Sequence, residues 1–296
     1  MTAAVRAALH AASWLLLAAC AAPPRAEPAY RFGVAAFDQV DPLAAAGDLQ
    51  APGFDYLEPA LSRLAALPAE ELAAARERVQ AGGIPVETMN WFLPGTAIKV
   101  TGPTVDDAVV RAYVERALGI AASFGARVIV FGSPGARSFP DGFPRDRAWQ
   151  QLVAFLRTCA SVIAANHYEL VIGIEALRRQ ETNLVNRFGE ALALAREVDR
   201  PQVRVICDFY HLCCENEDPD VVRAAGDLLV HVQVADPVAR RFPVAGDAER
   251  DGRYAAFVQA LRAIGYRGRI SIEAVSGDVR GDAAQSLAFL RAVTAR

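Results

Sequence analysis

Histidine is scarce in this chain, at four residues in 296, and one of the four (His10) lies in an apolar N-terminal stretch. A multi-zinc centre built mainly from histidine therefore has too few ligands here. No basic block stands out among 31 basic and 34 acidic residues, so nothing marks a nucleic-acid surface. No G-x-G-x-x-G follows the first strand-like run and no phosphate-loop motif occurs, which removes the two nucleotide-binding signatures with a clear mechanism. Five cysteines are present without a C-x-x-C pair, and Cys213 and Cys214 are adjacent, so a zinc site is not indicated. Cys207 falls on the aliphatic side of a strand-like run and reads as a buried free thiol. In an exported protein one disulfide among Cys159, Cys207, Cys213 and Cys214 is open, and the sequence does not choose it.

The first thirty residues read separately from the rest. Arg6 is followed by an apolar run through Leu15, Leu16 and Leu17 and then by Ala18-Ala19-Cys20, the order of a secretory signal. The run is too short for a comfortable transmembrane span. Leu17-Ala18-Ala19-Cys20 resembles a bacterial lipobox, which implies a signal over 1–19, a lipidated Cys20 as the one membrane attachment, and a tether over 20–29. The expected location is export, as a lipoprotein facing the periplasm. A start codon placed too far upstream of a cytoplasmic enzyme is the alternative.

From about residue 30 to the end, strand-like runs alternate with helical ones. The runs are 31–37, 54–60, 84–90, 126–134, then ELVIGIEAL, VRVICDFYH, LLVHVQVAD and RISIEAV. Helical stretches are expected at 69–81, 106–124, 145–166, 189–198, 219–225, 253–264 and 283–295, with Gly82-Gly83 closing the first of them. Strands alternating with helices mean parallel β-α units. Eight of them, with 53% apolar residues for one large core, predict an α/β fold: a single (β/α)8 barrel over 30–296.

The last four runs carry the chemistry. Side chains alternate faces with period two. Val171, Gly173 and Glu175 share a face; so do Ile206 and Asp208, His231 and Gln233, and Ser271 and Glu273. The opposite faces are mostly aliphatic. With those faces under helices, Glu175, Asp208, Gln233 and Glu273 converge inside the barrel at the C-terminal strand ends, where barrel enzymes hold their active sites. Three carboxylates and an amide oxygen suit one hard cation, Mn²⁺ or Mg²⁺, better than zinc. Two glutamates flanking a bound sugar can remove and return a proton next to a carbonyl, through an enediolate that the cation stabilises. His231 lies one layer below Gln233 and reads as a satisfied core residue. Glu58 and Asn90 end the second and third runs and are candidates for the pocket lining. Trp91 and Phe92 are candidates for an apolar wall.

The chain resembles the xylose isomerase-like barrels of the sugar isomerase/epimerase group, from about Tyr30 onward. IEALRRQETNLVN resembles the ketose 3-epimerase motif, which implies Glu175 as ligand and acid/base and Glu181 as substrate-binding. CDFYH resembles that group's D-x-x-H, which implies Asp208 as ligand and His211 near the substrate. GYRGRISIEA supplies Glu273 as ligand and second acid/base. The seventh strand departs from the epimerase H-x-H. His231-Val232-Gln233 is similar to the H-V-Q of hydroxypyruvate isomerases, with Gln233 on the metal and Arg240 at the spacing of their downstream arginine, for a substrate carboxylate or phosphate. The resemblance implies a small carbohydrate or keto-acid substrate, no nucleic acid, and a homo-oligomer. Two further readings stand beside the isomerase/epimerase: a metal-dependent lyase or hydrolase acting on a keto-sugar, and a non-catalytic carbohydrate-binding lipoprotein.

Overall fold

The computed structural model describes residues 30–295, so the signal and tether expected over 1–29 lie outside the described residues. Eight strands form one parallel sheet: β1 (Arg31–Ala35), β2 (Tyr56–Glu58), β3 (Thr88–Met89), β4 (Val128–Phe131), β5 (Val171–Ile174), β6 (Val203–Asp208), β7 (Leu229–Val234) and β8 (Arg269–Ile272). Their order is β2-β1-β8-β7-β6-β5-β4-β3. Isolated parallel bridges between Leu57 and Val86 and between Ala60 and Asn90 join the two edge strands, and the sheet curls into a nearly closed barrel. β3 is shorter than the run expected over 84–90 because Pro85 has no N–H to donate to a ladder. Its carbonyl still accepts from Leu57 N at 2.8 Å, and Asn90 N donates to Pro59 O at 3.2 Å.

The outward faces of the strands carry Val34, Ile129, Ile172, Val205, Val232 and Ile270, all buried. Side chains of this size contribute roughly 1.5–3 kcal/mol each on full burial. The covering helices Ala69–Ala81, Asp107–Ser123, Arg145–Ala165 and Phe188–Val198 fall within a residue of their expected positions. Two others begin earlier than the apolar pattern suggests. Asp247 caps Ala248–Ala263 through Arg250 N, and Asp278 accepts from Gly281 N in the first turn of Val279–Ala295. Capping carboxylates, rather than apolar spacing, set those starts. The short helix expected over 219–225 is a 3₁₀ stretch, Pro219–Leu228. Four short helices had no periodic signal: Ala46–Gln50, Leu61–Ala66, Pro134–Arg137 and Phe209–Cys214. No described helix is long and apolar enough to cross a membrane.

The barrel interior is layered. Low in it, the Tyr56 hydroxyl hydrogen-bonds Ser271 Oγ at 2.8 Å, and the Tyr56 ring lies where a Cβ on Gly33 would stand, 2.3 Å away. Gly33 is therefore needed for close approach rather than for its dihedral freedom. Val128, Val130 and Ile206 form a small separate apolar cluster, with Val171 against it. Above these lies a polar layer.

Candidate metal centre and its cavity

Each functional side chain is aimed by the last residue or two of a strand. Glu175 follows β5. Its N–H donates to Phe131 O at 3.2 Å, and its own carbonyl accepts from the buried guanidinium of Arg137 at 2.7 Å. Asp208 ends β6 and also caps the helix Phe209–Cys214. Its Oδ1 accepts from Tyr210 N at 2.7 Å, so Oδ2 is the oxygen left to face the interior. Glu273 follows β8. Its Oε1 accepts from Asn90 Nδ2 at 2.8 Å and its Oε2 from Arg240 Nη2. One ligand atom from each of Glu175, Asp208, His211 and Glu273 lies within 4.8 Å of the others, and all four residues are buried.

Glu58 is placed differently from the sequence expectation. It does not line the cavity and is fully buried one layer below. Its carboxylate accepts from Thr88 Oγ1 at 2.7 Å, Gln233 Nε2 at 2.6 Å and Ser271 Oγ at 2.5 Å, and pairs with His231 Nε2 at 2.8 Å. Four partners satisfy a carboxylate that would be costly to bury alone. They also hold its pKa below the usual range: burial pushes it upward, but His231 and the donated hydrogen bonds outweigh that. His231 is buried in the core as expected and is partnered at Nε2 by Glu58, but its Nδ1 has no hydrogen-bond partner, so it is not fully satisfied. Asn90 does reach the cavity, bridging Glu273 and Ala36 O. Trp91 and Phe92 part company. Trp91 lines the cavity, whereas Phe92 is fully buried among Tyr113, Phe131 and Phe155.

Four buried oxygens at or beside the centre have no hydrogen-bond partner: Glu175 Oε1, Asp208 Oδ2, Gln233 Oε1 and Asn90 Oδ1. Buried polar atoms are nearly always satisfied, so a converging set of orphans is a ligand-like feature. An all-oxygen set of this kind fits a hard divalent cation. His211 is a weaker donor to such an ion. Its Nδ1 accepts from Arg178 N at 3.2 Å, and its Nε2 faces Glu175 and Asp208 at 3.7 and 3.6 Å with the Arg240 Nη2 donor 3.5 Å away. Hard cations of this kind favour oxygen over imidazole nitrogen. Burial, then Arg240 and Arg178, push the His211 pKa well down and keep the ring neutral.

Burial and mutual repulsion shape the acids. Glu175 is held well above the carboxylate range by burial, then by Glu273 and Asp208. Burial also pushes Asp208 up to about 7, against the pull of Arg240. Glu273 is raised by burial despite Arg240 and Asn90. A cation bound among them would reverse these shifts. Arg240 is the resident counter-charge. It pairs with Glu273, reaches Glu181 Oε1 at 3.2 Å, and its guanidinium carbon lies 3.9 Å from the Phe37 ring centre and 4.6 Å from that of Tyr210. Glu181 also accepts from Arg178 Nε at 2.8 Å.

Sequence reasoning passed over Arg137. It is fully buried and donates to Phe131 O, Glu175 O and Val185 O, locking the β4 and β5 ends together. The one hint was an arginine in the Gly/Pro-rich loop after the fourth strand. Phe37 and Tyr210, which hold Arg240 between them, also had no signal.

A cavity of about 500 Å³ opens over the centre, lined on its polar side by Asn90, Glu175, Glu181 and Glu273. The fold and this site together define a parallel α/β barrel with a cluster able to hold a metal ion at the strand C-termini. The chain belongs to the xylose isomerase-like TIM barrel family, whose model matches residues 46–293. An L-ribulose 3-epimerase of Methylomonas sp. (strain DH-1) is 36% identical over 109 residues, covering 36% of each chain. A D-psicose 3-epimerase of Agrobacterium fabrum is 26% identical over 231 residues, 75% of each chain. The fold also matches a crystal structure of D-psicose 3-epimerase in the presence of D-fructose, with TM-score 0.76, 22% identity, and coverage of 90% of this chain and 100% of that one. The chain thus spans about a third of the first of these relatives and three quarters of the second.

Proposed function

We propose that the protein is a divalent-cation-dependent sugar epimerase, which inverts a carbon next to a carbonyl group. The observation that carries this reading is the pair Glu175 and Glu273, which reach one cavity from β5 and β8 and have raised pKa values. One glutamate, as carboxylate, takes the proton from the carbon; the other, still protonated, returns one to the opposite face. In the metal-free site burial favours the protonated form of either glutamate. Glu273 is fixed at both oxygens by Asn90 and Arg240, while Glu175 Oε1 is unengaged.

Glu175, Asp208, Gln233 and Glu273 would hold the ion. When bound, Mn²⁺ or Mg²⁺ polarises the carbonyl oxygen and balances the negative charge that develops there. His211 and Glu181 offer polar contacts to the sugar hydroxyls. Arg240 is already paired with Glu273 and Glu181, so its charge is balanced within the site, which favours a neutral sugar over a keto acid or phosphate ester.

The test is proton exchange in D₂O with Mn²⁺ and a panel of ketoses. The expected result is one solvent deuterium in an inverted product of unchanged connectivity, abolished by Glu175→Gln and by Glu273→Gln. A cleaved product would move the reading to a lyase. No exchange with any sugar, together with sugar binding that survives Glu175→Gln, would leave a carbohydrate-binding barrel.

A further inference from the structure

The centre occupies only one side of the 500 Å³ cavity. The other side is formed by Ala66, Trp91, Leu93, Pro94, Val130 and Leu177. A free hexose, with about 12 non-hydrogen atoms, is small for a site within the roughly 300–1,000 Å³ range that encloses drug-sized ligands. Ser62, Arg63 and Ser133 are the polar side chains along this part of the lining.

The apolar wall is built in advance. Trp91, Leu93 and Pro94 come from the connection after β3, Val130 from β4 itself, Ala66 from the helix after β2 and Leu177 from the connection after β5. The connections after β3 and β4 are tied together at several points. Lys99 Nζ donates to Gly135 O at 2.7 Å and to Ser138 O at 2.5 Å. Thr101 Oγ1 donates to Arg137 O at 2.7 Å, and Leu93 N to Ser133 Oγ at 3.1 Å. Gly135 packs so closely on Gly95 that a Cβ would lie 2.8 Å from its carbonyl carbon. Such a wall does not collapse to fit a smaller ligand.

Trp91 is the most informative residue in it. It is 38% exposed, the one aromatic among the exposed large hydrophobic residues described. Its backbone sits at φ +46°, in the left-handed region that bulky residues avoid. Its N- and C-terminal neighbours are fixed: Asn90 on Glu273 and Phe92 O by the Tyr113 hydroxyl at 2.7 Å. Arg63 lies 4.8 Å from the Trp91 ring centre and is itself anchored on Asp38 O at 3.2 Å. A strained tryptophan, held by its neighbours and half open to a cavity, is a ligand platform.

We propose that the substrate is a glycoside with an aromatic substituent, its sugar ring at the carboxylates and its substituent against Trp91, Leu93 and Pro94. This rests on the epimerase reading. A glycoside has no free anomeric carbonyl, because that carbon is tied up in the glycosidic bond. The carbonyl that acidifies the neighbouring C–H must then be a ketone on another ring carbon. An oxidation of a ring hydroxyl must therefore supply this substrate. The step itself balances: the C–H bond breaks, its electron pair enters the enediolate, the proton passes to one glutamate, and the other glutamate gives one back on the opposite face.

The test compares deuterium exchange by the Mn²⁺-loaded full chain on a phenyl ring-keto-glucoside, its methyl counterpart and free D-fructose. The expected result is a kcat/KM about three- to tenfold higher for the phenyl than for the methyl compound, carried by KM. Trp91→Ala should collapse that ratio and Trp91→Phe restore most of it. Equal values for phenyl and methyl in the wild type, or a preference for free fructose, would overturn the aromatic subsite and leave the epimerase reading standing. No exchange on any of the three, with Glu175→Gln indistinguishable from wild type, would instead remove the epimerase reading.

Discussion

Gln233 Nε2 donates to Glu58 Oε1 at 2.6 Å, and this contact orients the Gln233 amide. A carboxylate only accepts, so the amide must turn its nitrogen down to Glu58 and its oxygen up toward the acids. Glu58 thereby turns the Gln233 oxygen toward the proposed metal centre without touching the cavity. Partners of this kind typically cost 10- to 100-fold in metal affinity when removed. Glu58→Gln should weaken Mn²⁺ binding by about that factor, and Gln233→Ala by at least as much. Titration calorimetry on the folded variants reads this directly. Affinity within twofold of wild type for Glu58→Gln would separate Glu58 from the centre.

Gly132 leaves the space that Glu175 fills. A Cβ there would lie 2.2 Å from Glu175 Oε2 and 3.5 Å from Leu177 Cδ2. The carboxylate is the movable partner, so Gly132→Ala should displace it while the barrel persists. A shift of about 1 Å in a reacting group can cost about 100-fold in rate. Exchange activity should fall by that order with the circular dichroism spectrum unchanged. Full activity would mean that Glu175 works from another position.

The metal-free protein should lose stability as pH rises, and Asp208 gives the sign. Its folded pKa is pushed up to about 7, above its ordinary 3.8, by burial first. The folded state thus holds this proton more tightly than the unfolded chain. That contribution is fully present below about pH 4 and is lost as pH rises through about 7. Urea midpoints of the metal-free wild type should fall from about pH 5 to pH 8 more steeply than those of Asp208→Asn. Mn²⁺ should counter the loss most at the higher pH, releasing protons as it binds. Parallel pH curves for the two proteins would refute the assignment.

The four described cysteines are free thiols: Cys159, Cys207 and Cys213 are buried and Cys214 half-buried. Burial pushes the Cys213 thiol up to about 12, and Cys159 and Cys207 are also raised by burial. The thiolate is the reactive form, so all three should be inert in the native state. In protein starting near residue 28, a thiol reagent should modify Cys214 alone without denaturant and all four after unfolding. Fewer than four after unfolding would show a disulfide.

Much of this architecture was legible from local rules. Period-two alternation placed Glu175, Asp208, Gln233 and Glu273 on the inward faces, because burying the aliphatic face leaves the other face only one direction to point. The long helices followed from composition and spacing, to within a residue at Ala69–Ala81. What alternation does not say is how deep along the barrel axis an inward residue sits, or what stands across from it. Glu58 ends its strand much as Asn90 does, yet lies beneath the centre, because Thr88, Gln233, Ser271 and His231 surround it from strands up to 213 residues away. The same holds for Arg240, which meets Glu181, Phe37 and Tyr210 only once the barrel has closed, and for Arg137 beneath Glu175. Side-chain direction is a property of the strand and can be read from sequence. Which buried polar group satisfies which is a property of the closed ring, and only the tertiary structure decides it.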